Sequence, residues 1–341
     1  MKVDAALNDF AGAGAAARRL EQAGYAGAFT FEGPHDPFFP LVLAAAQTER
    51  IELHTAVAIA FARTPMLLAH IGWDLQALSR GRFLLGLGSQ IRAHIEKRFG
   101  MPWSRPAARM RELVLAVREI WRVWREGGRL DVRGEFYRHT LMTPMFSPGK
   151  NPFGDPPIFL AGVGPAMTEV AGEVADGFFV HPLHSEVSLR EVTLPALERG
   201  LAKSGRSRDA LQISVQVMIA SGGSEPEIQT TRGLTRQQIA FYGSTPAYRV
   251  VLDAHGWGEL QPELNALSKR GKWAEMAGLV SDEMLETLAI CCPQEQIAAR
   301  VRARYGALAD RVSLVAHWSK DPEPWAAIAR ELQQEAPRGR G

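Results

Sequence analysis

Cysteine is nearly missing: Cys291 and Cys292 are the only two in 341 residues, and they are adjacent. A disulfide framework is thereby excluded, and a reducing, cytoplasmic setting is expected. Net charge is nearly missing too, with 39 Lys and Arg against 37 Asp and Glu. Nucleic-acid binders carry a strongly basic footprint, so no nucleic-acid partner is expected. Long apolar runs are also lacking. The longest stretch free of Asp, Glu, Lys and Arg is 210–224, 15 residues that include Gln and Ser. A membrane span needs ~20 apolar residues, so no membrane partner is expected. The opening MKVDAALNDF places Asp4 where a secretory leader would have its apolar core. What the chain does have is 46% hydrophobic residues, which excludes wholesale disorder.

Those residues fall into a rhythm of short apolar runs, each followed by helical material. Strands are expected at 3–7, 26–31, 51–59, 82–87, 157–161, 177–180, 212–219 and 312–316. Helices are expected at 14–23, 40–48, 65–78, 105–126, 166–175, 187–203, 294–305 and 324–335, several opening on proline, where the missing N–H does no harm. Alternating βα units imply a parallel sheet, and eight of them imply a closed (β/α)8 TIM barrel. Two stretches break the rhythm. Residues 137–157 carry five prolines and read as a long, stiffened loop, and 225–286 read as a helical insertion on the C-terminal side of the seventh strand, where it could roof an active site. The chain thus reads as a single domain over 1–335, followed by a disordered tail, APRGRG, at 336–341.

Several motifs carry chemistry, each beside a plainer reading. Gly12, Gly14 and Ala17 form a G-x-G-x-x-A with Glu32 about 20 residues on, the pattern of a dinucleotide site in a nicotinamide dehydrogenase. Four residues separate it from its strand, however, and eight strand–helix units argue against that fold. In LSRGRFLLGLGSQ at 78–90, Gly81 supplies a left-handed turn. Gly86 and Gly88 would leave a strand end open to a flat ligand. Gly162, Val163 and Gly164 precede Pro165 and a helix, which makes either an anion site for phosphate or an ordinary turn. Glu32, His35 and Asp36 follow strand two. His35 beside a carboxylate suits a general base, unless it is a structural loop histidine. His181 and His184 follow strand six toward the same mouth and match neither a zinc motif nor a nucleophile site, so no metal is expected. Nor is there a G-x-S-x-G for Ser–His–Asp catalysis. Between 91 and 133 the chain has eleven Lys and Arg against five Asp and Glu. Arg111, Arg118, Arg122 and Arg125 there form either a solvated face or an attractor for a polyanionic tail.

Taken together, Arg63-Thr64-Pro65, the 78–90 segment and PPIFLAGVGPAM at 156–167, leading to Ala175-Asp176-Gly177, resemble the luciferase-like monooxygenase superfamily. Within it, HDPFFP at 35–40, HIEKRFG at 94–100 and AGEVADG at 171–177 are most similar to the branch that uses the deazaflavin coenzyme F-420. The resemblance implies a cis peptide at Ala56–Val57 against the cofactor ring. It implies ring-edge contacts from Gly88, Ser89 and Gln90, and phosphate on Gly162, Val163 and Gly164. His35, with Asp36 beside it, would face the reacting carbon. Ser89 stands where related sugar-phosphate dehydrogenases carry an acidic residue, and Cys291-Cys292 stands where Gly-Thr or Gly-Ser is usual. The implied function is an F-420-dependent oxidoreductase that transfers a hydride to or from a small organic substrate, as a homodimer. The alternatives are an FMN-dependent monooxygenase and a non-catalytic flavin-binding barrel.

Overall fold

A computed structural model describes residues 1–316 and 323–334. Eight parallel strands close a ring: β1 (Lys2–Ala6), β2 (Gly27–Thr30), β3 (Glu52–Thr55), β4 (Phe83–Gly88), β5 (Ile158–Gly162), β6 (Gly177–Val180), β7 (Gln212–Ala220) and β8 (Arg311–Val315). Each pairs with the next, and β8 returns to β1 through Lys2↔Arg311. The expected (β/α)8 barrel is therefore the architecture.

Helices α1 (Ala13–Ala23), α2 (Phe38–Gln47), α3 (Pro65–Leu78), α4 (Pro106–Glu126), α5 (Pro165–Val174) and α6 (Leu194–Lys203) surround it. Their buried faces and the outer faces of the strands form one large apolar cluster. Local signals set the starts. Thr64 accepts a hydrogen bond from the Leu67 N–H, and Pro65 opens α3. Trp121 of α4 lies fully buried across α3 and donates its indole N–H to the Ala69 carbonyl at 3.0 Å. Between β7 and β8 come α7 (Glu225–Gly243), α8 (Leu260–Lys269), α9 (Trp273–Gly278), α10 (Asp282–Leu288) and α11 (Ile297–Tyr305), and α12 (Glu323–Gln334) follows β8. A second apolar cluster, which includes Ile239, Leu264, Met276 and Leu285, holds α7 to α10 together as a roof.

Three departures have physical reasons. The strand expected over 51–59 is split by a cis peptide between Ala56 and Val57, and Ala58–Ile59 then pairs with β4 separately. The helix expected over 187–203 holds a wide turn at Leu189–Thr193, just before Pro195, which has no N–H to continue the ladder. A three-residue strand, Ala289–Cys291, pairs with the upper end of β7; it is too short to show a period. The tail at 336–341 lies outside the described residues.

Because strand side chains alternate, every second residue faces inward, and the barrel interior builds in layers. Arg311 of β8 donates to both oxygens of Asp4 on the neighbouring β1, at 2.9 and 2.7 Å, and also reaches Glu52 of β3. Gly27 lies between these strands, where a Cβ would meet the Asp4 carboxylate at 2.3 Å. Burial opposes the charge on Asp4. The Arg311 guanidinium and His54 outweigh it and hold the carboxyl well below its usual range. The next layer is aromatic: His54 is sandwiched between Phe29 and Phe179, with centroids 5.4 Å from each.

A carboxyl held low in the folded state stabilises above its ordinary pKa and ceases to as pH falls below about 4. Removing one partner strands a buried charge, so Asp4→Ala is expected to lower stability by about 3–5 kcal/mol at pH 7 in urea unfolding. Asp4→Leu combined with Arg311→Met is expected to recover most of that loss, and an unchanged double variant would refute the assignment.

Candidate active site

The C-terminal ends of the strands form the mouth, where a barrel places its chemistry. By the pleat, the uppermost inward positions hold Ala6 on β1, Ala56 just past β3, Gly88 on β4 and Ala161 on β5. The alanines are small and the Val57 side chain covers the Gly88 position, so on these strands little side-chain bulk stands above the His54 layer and the rim forms a shallow cup. Ala56, Val57 and Ala161 pack against the inner cluster of Leu84, Phe159 and Phe179.

One wall is a polar network built on Arg63. Glu32 donates its backbone N–H to the Val57 carbonyl at 3.1 Å, and its carboxylate accepts from the Ile59 N–H at 2.7 Å, so it spans the cis bulge from both sides. Arg63 donates to Glu32 at 2.6 Å and to Asp36 at 2.9 Å. Asp36 also accepts from the Phe38 N–H at 2.8 Å at the start of α2. Both Asp36 oxygens are thus engaged. His35 is exposed beside it, resting on Phe10 with centroids 4.8 Å apart, and neither Asp36 nor Glu32 hydrogen-bonds to it. The network fixes the loop that presents His35.

At β4 the glycines work differently from what the sequence implied. A Cβ on Gly86 would lie 1.7 Å from the Thr55 carbonyl, and Thr55 Oγ donates to the Gly86 carbonyl at 2.6 Å and accepts from its N–H at 3.0 Å. Gly86 therefore admits the neighbouring strand, and the space above Gly88 is taken by the Val57 side chain. Ser89 donates to the Gln90 carbonyl, and Gln90 turns its amide oxygen onto the Ile91 N–H at 2.9 Å. At β5, Gly162 makes room for Met167, but nothing lies within 4 Å of the Cβ position at Gly164. Gly164 caps α5, whose first-turn amides have no helical acceptor.

His181, at the end of β6, meets two tyrosines of the roof, Tyr242 edge-on at 4.6 Å and Tyr248 at 4.3 Å. His184 lies against Tyr305 with the rings inclined at 58°, bonds to the His181 carbonyl at 2.9 Å and leaves Nε2 without a partner among the described residues. Burial pushes His181 down to about 3 and His184 down to about 4. Ser185 Oγ bonds to His255 of the roof at 2.7 Å. Above β7 and β8, a cavity of about 360 Å³ opens beneath α7 and α9. Sequence reasoning missed this cavity and the Glu32–Arg63 link; the signal for the first was Phe241 and Trp273, large apolar residues left half-exposed on helices.

The remaining motifs are structural. Gly12 donates its N–H to Asp9, and Gly14 lets α1 approach Gln47 of α2. Arg111 pairs with Glu173, Arg118 with Asp176 and Arg125 with Asp155, so these cations pin α4 to its neighbours. Burial pushes the Cys291 thiol up to about 12, and Cys292 is raised as well. Among the described residues, no cluster of three His, Cys, Asp or Glu could hold a metal ion, and no helix is long and apolar enough to cross a membrane.

Residues 2–311 match the luciferase-like monooxygenase family. An uncharacterized protein of Mycobacterium tuberculosis is 54% identical over 313 residues, 92% of each chain. The 5,10-methylenetetrahydromethanopterin reductase of Archaeoglobus fulgidus is 30% identical over 268 residues, covering 76% of this chain and 75% of its own. Among solved structures, the coenzyme F420-dependent tetrahydromethanopterin reductase of Methanopyrus kandleri superimposes with a TM-score of 0.78 at 21% identity. That alignment covers 97% of this chain and 96% of its own, a likeness of fold.

The buried histidines set a pH dependence. A histidine held neutral in the fold takes up its proton only on unfolding, so stability is complete above about pH 6.5 and falls as pH drops toward 4. Each such group costs about 1.4 kcal/mol per pH unit in that window. Urea midpoints at pH 7 and pH 5 should therefore differ, and His184→Asn should flatten the slope by about half. An unaltered slope would show that His184 is not held neutral.

Proposed function

The chain belongs to the luciferase-like monooxygenase family, and on that premise we propose that it is an oxidoreductase using coenzyme F-420 and a small organic substrate. The observation that carries this reading is the cup of Ala6, Ala56 and Ala161 beside the open start of α5 at Gly164. A flat ring system fits over small side chains, and a phosphate fits the unpaired amides at a helix N-terminus. Bound there, a deazaflavin supplies or accepts a hydride; orientation and electrostatics come from the protein. Gly162, Val163 and Gly164 would hold the phosphate, Ala56 and Val57 would back the ring, and Gly88, Ser89 and Gln90 would line its edge. His35 would move the accompanying proton. Asp36, occupied by Arg63 and the Phe38 N–H, acts by fixing the loop. The name of the Methanopyrus kandleri reductase includes coenzyme F420 and supports this cofactor, and the family's description as monooxygenases keeps an FMN-dependent monooxygenase as the second reading.

Titration with F-420 and with FMN, followed by intrinsic fluorescence of the eight tryptophans, separates the two. The expected result is micromolar F-420 binding, weakened on the order of tenfold by Gly164→Glu, which places a carboxylate at the anion site. His35→Asn should leave that affinity unchanged. Preference for FMN would make this a monooxygenase, and binding of neither would leave a non-catalytic barrel.

The single-domain organisation and a cytoplasmic setting, in keeping with two unpaired thiols, belong to the same proposal. So does a homodimer. Helix α2 is apolar on every side and leaves Phe39, Val42 and Leu43 exposed, next to Leu67 of α3. A helix that is apolar all round is normally covered, here by a second copy. Light scattering should give twice the chain mass, and Phe39→Glu with Leu43→Glu should give the monomer; a monomeric wild type would refute it.

A further inference from the structure

The cavity beneath the roof has a lining unlike the rest of the mouth. Its floor is Met218 of β7 and Val315 of β8, paired partners in the barrel ladder. Both share the inward face of their strands with the Arg311 layer, each four residues along from the paired Arg311 and Ser214, so the cavity is continuous with the barrel mouth. Its wall is one face of α7, where Leu234, Gln237, Gln238 and Phe241 recur at helical spacing. Trp273 and Met276 of α9 close it. Among the described residues, no Asp, Glu, Lys or Arg lines it.

These aromatics are spare to the fold. Helix α7 is anchored through Ile239 and Ala240, and α9 through Met276, all buried in the roof cluster. Phe241 and Trp273 each remain 51% exposed, their ring centroids 6.2 Å apart and inclined at 51°, open to the cavity. Gln238 is tied to Tyr242, whereas no hydrogen bond holds the Gln237 amide among the described residues. At about 360 Å³ the space falls within the range of small-molecule sites, ~300–1,000 Å³.

We infer that this cavity binds an uncharged, ring-bearing organic substrate, its ring against Phe241 and Trp273 and a carbonyl or hydroxyl oxygen against Gln237. Anionic substrates such as sugar phosphates or polycarboxylates are disfavoured, because an apolar, cation-free lining cannot repay the desolvation of a charge. That the ligand is the redox partner rests on the F-420 reading, whereas its binding class does not.

The probe is prodan, an uncharged naphthyl ketone whose emission shifts to the blue in apolar surroundings. Its anionic counterpart is 1-anilinonaphthalene-8-sulfonate. Prodan is expected to bind saturably, with affinity at least tenfold above that of the sulfonate. Phe241→Ala and Trp273→Ala are each expected to weaken it on the order of tenfold, as for aromatic anchors in general. Gln237→Glu, at an exposed position that cannot unfold the chain, should weaken both probes by adding a negative charge. Equal or tighter sulfonate binding, or variants that leave prodan unaffected, would overturn the inference. So would full displacement of prodan by F-420, which would assign the cavity to the cofactor. Failure of wild-type protein to bind F-420 while prodan binds as described would remove the cofactor reading alone.

Discussion

The guanidinium of Arg311, on the last strand of the barrel, holds Asp4 on the first and Glu52 on the third, and the interior is arranged around that contact. Ridding the barrel of water at this level requires that the charges meet at close range, because an unpaired buried charge is worth several kcal/mol of instability. The strands nearby are shaped to permit it. Gly27 gives up its side chain to let the carboxylate through, and His54 sits against Asp4 at 3.4 Å while stacking on Phe29 and Phe179. With the lower interior filled by this network and the aromatic layer, the inward positions above can be small without leaving a void through the barrel. The cup exists because the floor beneath it is solid.

A second constraint governs the rim. Main-chain pairing between β3 and β4 is interrupted where the bulge forms, and side chains take over. Thr55 bridges to both polar groups of Gly86, while Glu32 and Arg63 grip the bulge from the other side. Arg63 in turn secures Asp36. The loop carrying His35 and the bulge at Ala56 and Val57 are therefore parts of one hydrogen-bonded unit, so a change at Arg63 would be felt at both. The N–H groups of Glu32, Ala56 and Ile59 each find an acceptor within a neighbouring segment, the kind of pairing that irregular backbone at a barrel mouth requires.

Much of this architecture was legible in the sequence because it is local. Alternating apolar runs and proline-headed helices are set by near neighbours, and they place all eight barrel strands within a few residues. The bulge position followed from resemblance. Pairings between distant residues were not legible: nothing in the text of the chain joins Asp4 to Arg311 or Thr55 to Gly86. Glycine was the most ambiguous residue, since Gly86, Gly88 and Gly164 read alike, yet two accommodate the protein's own atoms and one faces open space. Asp36 beside His35 suggested a catalytic pair, whereas its partners lie 27 residues away in Arg63 and two residues on in Phe38. The roof was visible only as helical material, because which face of α7 is spare depends on what α8 to α10 cover.

The position of Arg311 also has a consequence for synthesis. Its partner Asp4 lies 307 residues earlier in the chain. At ~5–20 residues per second, about 15 to 60 s pass between the emergence of one and the emergence of the other. Throughout that interval the first strand carries a carboxylate whose guanidinium partner has yet to be made, so desolvating it beside strands two to seven is unfavourable. The growing chain is thereby kept from sealing an incomplete ring, and closure waits for the eighth strand to supply the charge that makes burial of the first one favourable.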